Sequence, residues 1–314
     1  MPRNLSLIMG VALALVSVSA FSQRVMEGEL EVIPVRDNIY LMVMEPAGNV
    51  AVSVGEDGVL MVDDQFAPMT ERLLKAVSDL TDRPLRYVLN THWHGDHTGG
   101  NANFGRRGYA IVAHDNVHER MSSVQYHLLF RTGTRPHPPE ALPVISYRDR
   151  MSFHLNGERI DVIHLPVAHT DGDSAVYFRE SDVLHTGDAF INRGYPLIDV
   201  ASGGTIKGQI EATNKMIELI TSNTIIIPGH GPIADKRRMI EVRNMLMAAR
   251  ESVVDLIDQG LDVRAIKAAD PLKELNPEWE VGFLKSRAFV NIIYQSETGD
   301  FTVPTEAEIT RWDE

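Results

Sequence analysis

The feature that most constrains this chain is the segment "LRYVLNTHWHGDHTGG" (residues 85–100), where the pattern of a buried strand runs directly into a polar cluster. Three of the 12 histidines, His92, His94 and His97, fall within six consecutive positions, with Asp96 between them. Imidazole and carboxylate groups are preferred ligands of zinc and related divalent ions. Two histidines two positions apart at a strand end can converge on one ion, whereas Asp96 and His97 would face a second position. The cluster therefore predicts part of a metal site that is completed from later in the chain.

Three later strand ends supply candidate ligands for the rest of this site. His169 lies in "PVAHTDGD", Asp188 in "LHTGDAF", and His230 in "IPGHGP", where flanking glycines allow close approach of the backbone. Three strand ends that deliver His, Asp and His are what a shared metal cleft requires. Because the chain contains no cysteine, the site would use only nitrogen and oxygen ligands.

The composition limits the class of partner. The chain has 314 residues, 44% of them hydrophobic, which is enough for one large domain with an appendage. Its formal net charge is −13, with no basic face to neutralise phosphates, so we expect a small-molecule substrate and no nucleic acid. A helical C-terminal segment can either pack on the core or form a dimer, which leaves the oligomeric state open.

The first residues, "MPRNLSLIMGVALALVSVSAFSQ", resemble a secretory signal peptide. A basic start precedes an apolar run and then small residues, with cleavage predicted after Ala20 or Ser22. The apolar run is short for a membrane span, so we expect removal of residues 1–22 rather than a stable membrane anchor. The mature protein would then be periplasmic or secreted.

The order of the predicted elements indicates an α+β fold. Three or four antiparallel strands precede a helix at 67–81, and the strand that leads into the histidine cluster follows. Four short strands, an amphipathic helix and a strand ending near His230 come next, and the rest is mainly helical. We predict a catalytic domain at 24–235 and a helical C-terminal extension at 236–314. The Pro-rich segment 131–147 is either a surface connector or a loop that borders the site.

The "HWHGDH" segment has the form HxHxDH, and with "VDD", "AHTDGD", "HTGDAF" and "PGHG" in order it resembles the metallo-β-lactamase-fold hydrolases. The resemblance covers residues from about 29 to 235. It implies a four-layer αβ/βα sandwich with two zinc ions at one edge, or iron or manganese in their place. The ligand sets that it implies are His92, His94 and His169 for one metal, Asp96, His97 and His230 for the other, and Asp188 as a bridge beside a shared hydroxide.

The resemblance also implies roles around these ligands. Asp63 in "MVDD" would orient the histidine loop from outside the coordination sphere, with its neighbour Asp64 as the alternative. Asp96 and Asp188 would be catalytic, with Asp96 placed to steer the proton of the hydroxide. Tyr195 in "NRGYPLID" is a third catalytic candidate as a donor to the oxyanion, with core packing as its alternative. His185 is expected to be a buried, hydrogen-bonded histidine close to the ligands.

Two departures from the antibiotic-hydrolysing members bear on the substrate. Members with a cysteine in the second metal site have it where this chain has Asp188, and the lysine that often follows is replaced by Ile191, with Arg193 nearby. A bridging aspartate is similar to glyoxalase II and lactonase relatives, whereas the whole pattern is more similar to exported β-lactamase-like hydrolases. The leading hypothesis is a binuclear zinc hydrolase of a cyclic amide or ester, with β-lactamase activity included. The alternatives are a lactonase or thioesterase, an iron-dependent oxidoreductase of sulfur compounds, and a non-catalytic binding module.

Overall fold

A computed structural model describes residues 28–310, so the predicted signal peptide lies outside the described residues. Within this range, no helix has both the length and the apolar character needed to cross a membrane. The described chain is built from two large sheets, one from each half, with helices on their outer faces.

The first sheet has seven strands. Their spatial order is β1 (Glu31–Arg36), β2 (Ile39–Val43), β3 (Val50–Gly55), β4 (Gly58–Val62), β5 (Leu85–Leu89), β6 (Ala110–His114) and β9 (Ile145–Tyr147). The first four strands pair antiparallel through short turns, as their alternating strand and turn patterns predict. From β4 onward the pairs are parallel, because longer crossovers join those strands. Those crossovers contain α1 (Thr70–Leu80), α2 (Gly95–Thr98), α3 (Asn101–Arg106) and α4 (Asp115–Met121).

The segment between α4 and β9 is more regular than its proline content suggests. It forms a small hairpin from β7 (Gln125–His127) and β8 (Thr132–Thr134), followed by a 3-10 turn at Pro139–Ala141. The sequence gives no periodicity for strands of three residues, because so short an element contains hardly more than one repeat.

The second sheet has five strands. They are β10 (Arg150–Leu155), β11 (Glu158–His164), β12 (Ser174–Phe178), β13 (Val183–His185) and β14 (Ile225–Ile227), in that spatial order. The first four are antiparallel, and β14 pairs parallel with β13 because helix α5 (Ile206–Leu219) crosses between them. The remaining helices are α6 (Lys236–Asp258), α7 (Val263–Ala269), α8 (Asn276–Trp279), α9 (Ser286–Thr298) and α10 (Glu306–Thr310).

The layers follow from side-chain alternation along the strands. On β2, Leu41 faces the second sheet and joins a core with Ile160 and Phe178, whereas its neighbour Met42 faces α1 and packs near Leu73. Strand β4 is buried on both faces, which explains why its sequence is a continuous apolar run. The outer face of the second sheet is covered by helices α5, α6 and α9. The predicted four-layer αβ/βα sandwich of the α+β class is confirmed.

The helices after residue 235 are continuous with this outer layer. Leu246 of α6 and Phe289 of α9 are fully buried in the same core as Leu184 of β13. This packing joins the predicted C-terminal extension to the sandwich, and the boundaries at 24–235 and 236–314 stay predictions.

The strand directions bring the candidate ligands to one edge. Strands β4 and β5 are parallel in the first sheet, as are β13 and β14 in the second. Strand β11 runs antiparallel to β12, which runs antiparallel to β13, so β11 points the same way as β13. The segments that follow these strands carry Asp63, the histidine cluster, His169, Asp188 and His230, which therefore meet at one edge of the sandwich.

Candidate metal centre

Three histidines form the first group of donor atoms. Nδ1 of His94 lies 2.8 Å from Nε2 of His169, and the ring of His92 lies within 4.9 Å of both other rings, centroid to centroid. All three side chains are buried. Two lone-pair nitrogens so close together repel each other unless a cation or a proton lies between them.

Asp96, His97 and His230 form the second group. Nε2 of His230 lies 3.1 Å from Oδ2 of Asp96 and 3.4 Å from Nε2 of His97. The side chains of His230 and Asp96 are 27% and 26% exposed, whereas His97 is fully buried. The second group therefore forms the more solvent-exposed side of the cluster.

Asp188 lies between the two groups. Its Oδ1 is 3.2 Å from Nε2 of His97 and 3.5 Å from Nε2 of His230, and its Oδ2 is 3.6 Å from Nε2 of His169. This is the position that the resemblance to the metallo-β-lactamase-fold hydrolases implies for a bridging carboxylate. The structure thus brings all seven predicted ligands into one cluster.

Asp63 orients donors of both groups. Its Oδ2 accepts hydrogen bonds from Nδ1 of His97 at 2.7 Å and from Oγ1 of Thr91 at 2.8 Å, and its Oδ1 accepts from the Thr91 backbone N–H at 2.7 Å. The Thr91 hydroxyl in turn lies 3.1 Å from Nδ1 of His92 and can accept its proton. Asp64 instead accepts from the backbone of Gly100. One buried carboxylate therefore fixes which nitrogen His92 and His97 present to the cluster.

Asp199 orients His94, and the sequence alone does not predict this role. Nε2 of His94 donates to Oδ2 of Asp199 at 3.0 Å, and the Ser202 hydroxyl donates to the same oxygen at 2.7 Å. Asp199 also caps the 3-10 turn Val200–Ser202, which is the only role that its local sequence indicates. Its contact with His94 spans 105 residues of sequence, so no local signal reveals it.

The sequence also does not predict that His127 on β7 lies beside the cluster. Its ring stacks on Trp93 at 4.9 Å and lies 5.3 Å from the ring of His94, while its Nδ1 is 3.8 Å from Oδ2 of Asp199. Burial lowers the pKa of His127 to about 4. It is therefore a neutral side chain that forms a wall beside the first histidine group.

Tyr195 requires a correction. Its hydroxyl donates to Oδ1 of Asn276 at 2.9 Å, and its ring stacks on Phe289 at 4.9 Å, so it belongs to the core between the second sheet and the C-terminal helices. The chain turns inward after Asp188, and this geometry gives Tyr195 a packing role in place of the predicted catalytic one. His185 uses both ring nitrogens, with Asn49 and Gly187 as partners, as expected for a buried, hydrogen-bonded histidine.

The donor set fits divalent ions. Nε2 of His92 is buried without a hydrogen-bond partner among the described residues, which a bound cation would satisfy. Burial lowers the pKa of His92 well below its ordinary value and that of His169 to about 4, so both imidazoles are neutral and able to ligate. Burial opposes ionisation of Asp188, but His230 and His97 overcome it and hold its pKa well below the ordinary value.

Gly229 explains why a glycine precedes His230. A Cβ atom at this position would overlap with Oδ1 of Asp188 and with the backbone of Gly187. The "PGHG" motif therefore lets the backbone after β14 approach the carboxylate closely enough to place His230 beside it.

We expect Asp199→Asn to weaken metal binding by about 10- to 100-fold, since the orienting partners of metal-bound histidines typically contribute this much. The amide retains the size of the carboxylate but loses the charge that faces His94. Metal content after dialysis against a graded chelator series measures the effect. Asp171→Asn, which removes a carboxylate paired with Arg120, is the control, and equal losses in both variants would contradict the assignment.

Comparison with known proteins agrees with this geometry. The model of the metallo-β-lactamase superfamily matches residues 44–232. The lactamase-like protein aptB of Emericella nidulans is 26% identical over 185 residues, which is 59% of this chain and 50% of that protein. The hydroxyacylglutathione hydrolase of Pelagibacter ubique is 23% identical over 240 residues, 76% of this chain and 85% of that protein. Among solved structures, a metallo-β-lactamase from Pontibacter korlensis superposes with a TM-score of 0.56 at 17% identity, covering 70% of this chain and 99% of its own.

The family match covers more than half of the chain, and the chain belongs to the metallo-β-lactamase superfamily. The first curated relatives align over about half to two thirds of their own length. The likeness to the solved structure is one of fold.

Proposed function

We propose that this protein is a binuclear zinc hydrolase that opens a cyclic amide or ester, with β-lactams among its substrates. The observation that carries the proposal is the position of Asp188, whose two oxygens face donors of both histidine groups. A single carboxylate between two sets of three donors is suited to a pair of ions rather than one. Iron or manganese in the same cluster is the alternative occupancy.

The protein's own residues supply the other requirements of hydrolysis. Two divalent ions, when bound, would lower the pKa of a water molecule toward neutrality and polarise the substrate carbonyl. Asp96 and Asp188 would offset the positive charge of the ions, and the partly exposed carboxylate of Asp96 is placed to accept a proton at the open side. Asp63 and Asp199 hold the histidines in fixed orientations, which keeps the cluster arranged before substrate arrives.

A lactonase or thioesterase is the second candidate, favoured by a specific observation. The position that is cysteine in many antibiotic-hydrolysing members is Asp188 here. A relative that aligns over most of its length is named a hydroxyacylglutathione hydrolase, which is a thioester-cleaving activity in that protein. The binuclear cluster serves either substrate, because both reactions begin with attack on a polarised carbonyl.

We also propose export to the periplasm or the medium and a small-molecule substrate. The proposal of export rests on the first 22 residues, and that of the substrate class on the net charge of −13. Tagging the C-terminus and separating the culture into cytoplasmic, periplasmic and secreted fractions tests the location. Recovery of a full-length cytoplasmic protein would contradict it.

The function is tested by assaying the zinc-loaded protein with a chromogenic β-lactam, an aliphatic lactone and an S-acyl thioester, each with a chelated control. We expect turnover of at least one of the three, loss of turnover on chelation, and recovery with two equivalents of zinc. Bound iron together with oxygen consumption would instead support an oxidoreductase. No turnover with any substrate, despite two bound zinc ions, would contradict the proposal.

A further inference from the structure

Beside the metal centre, the structure contains a cavity of about 250 Å³ that the ligand set does not use. One wall is formed by His127 and Asp199, the two side chains packed around His94. The opposite wall is formed by helices α7 and α9, which follow the segment matched by the family model. The cavity therefore lies one side chain away from the first histidine group.

Eight of the 14 residues that line the cavity are hydrophobic. Leu197, Val200 and Ile292 contribute aliphatic side chains, and Phe130 lies at the rim with 51% of its surface exposed. The volume is somewhat below the ~300–1,000 Å³ of pockets that hold drug-sized ligands, so the cavity suits a short apolar chain.

Two cations in this lining have no acidic partner among residues 28–310. Lys267 on α7 donates to the neutral amide oxygen of Asn291 on α9, and it forms no ion pair with a carboxylate in residues 28–310. Arg131 likewise forms no ion pair within the described part of the chain, in a protein whose acidic residues outnumber its basic ones by 43 to 30. Burial lowers the pKa of Lys267, with Arg287 adding to the effect, and no acid opposes either.

The lining carboxylate, Asp199, does not neutralise these cations. Its Oδ2 is occupied by His94 and by the hydroxyl of Ser202. The lining thus combines two side chains that contact His94, several aliphatic side chains, and two cations that have no carboxylate partner among residues 28–310. Lys267 is half-buried and Arg131 is exposed, and cations without an acidic partner at a concave site favour an anionic ligand.

We propose that this cavity binds the side chain of the substrate, a short apolar chain that ends in a carboxylate recognised by Lys267 and Arg131. The proposal rests on the hydrolase function proposed above, because the carbonyl of the same molecule would lie at the metal cluster. The choice of substrate would then depend on helices α7 and α9, whereas cleavage of its amide or ester bond would depend on the cluster at the strand ends.

The test is calorimetric titration of the full chain with hexanoate, and with hexanamide as the uncharged analogue. Chelator-treated protein is used first, so that the carboxylate cannot bind to metal and the result does not depend on hydrolysis. We expect hexanoate to bind at least about tenfold more tightly than hexanamide, and Lys267→Met to remove that preference. Lys267→Arg should retain it, and Lys207→Met, which removes an exposed lysine of α5 outside the cavity, should not alter it.

Equal affinity for the two probes, no binding of hexanoate, or equal effects of Lys267→Met and Lys207→Met would each overturn the proposal. If a variant fails to fold, the relative affinities of the unmodified protein for hexanoate and hexanamide still test whether the cavity prefers an anion. If hydrolysis is absent but the preference for hexanoate is present, the cavity assignment stands as a binding site and only the proposed reaction fails.

Discussion

Replacing Asp188 by asparagine should remove hydrolysis almost completely and lower the metal content of the protein. The carboxylate faces three histidine nitrogens from both groups at 3.2–3.6 Å, and an amide is a much weaker ligand that carries no charge. Partners outside the coordination sphere already contribute about 10- to 100-fold in metal affinity, so the loss of a direct, shared ligand should exceed 100-fold. Metal analysis after gel filtration and turnover of the substrate identified for the parent protein measure the two effects.

The control for this experiment is Asp79→Asn, which removes an exposed carboxylate paired with Lys75 on helix α1. It should leave the metal content and the turnover unchanged. Circular dichroism of Asp188→Asn should show the secondary structure of the parent, since the sheets and helices do not depend on this side chain. A variant that keeps both metal equivalents and full activity would contradict the bridging role.

Replacing Asp63 by asparagine should destabilise the protein as well as its metal centre. The side chain is fully buried and accepts three hydrogen bonds, two from Thr91 and one from His97. An amide keeps one acceptor oxygen but places an NH₂ group against the remaining donors. Since a hydrogen bond to a charged group contributes about 1.5–3 kcal/mol, the loss of two should lower the free energy of unfolding by about 3–6 kcal/mol. Denaturant unfolding of the chelated protein measures this change without the metal contribution.

The neighbouring Asp64→Asn is the matched control. Asp64 is equally buried, but it accepts a single hydrogen bond from Gly100, which the amide oxygen can keep. Burial raises the pKa of Asp64 well above its ordinary value and so disfavours the charged form that the amide removes. We expect less than about 1 kcal/mol of destabilisation. Equal effects of the two substitutions would show that the sequence pattern "VDD" does not single out its first aspartate.

The seven side chains that form the donor cluster could be picked out from the sequence because each lies in a short motif after a strand. The carboxyl ends of like-directed strands share an edge, so the motifs define a cluster once the strand order is known. The side chains around the ligands could not be predicted in the same way. Asp199 reaches His94 across 105 residues, and His127 lies on a strand of only three residues inside an irregular segment.

Tyr195 shows the opposite error. It is only seven positions beyond Asp188, and proximity in sequence suggested a place in the cluster. The chain instead turns toward helix α8, where Asn276 accepts the phenolic proton and Phe289 covers the ring. The direction that the chain takes after a turn depends on how distant helices pack against it. The local sequence does not encode that packing.

The donor cluster lies at strand ends, whereas part of the cavity lining lies on the C-terminal helices, and this separation has an evolutionary consequence. The groups that would hold metal lie between His92 and His230 in the sequence, whereas Lys267 and Asn291 lie on helices packed against the outer face of the second sheet. Mutations in those helices can alter the cavity without moving any donor of the cluster. If the cavity selects the substrate as proposed above, substitutions in α7 and α9 would change substrate preference while the donor cluster stays intact.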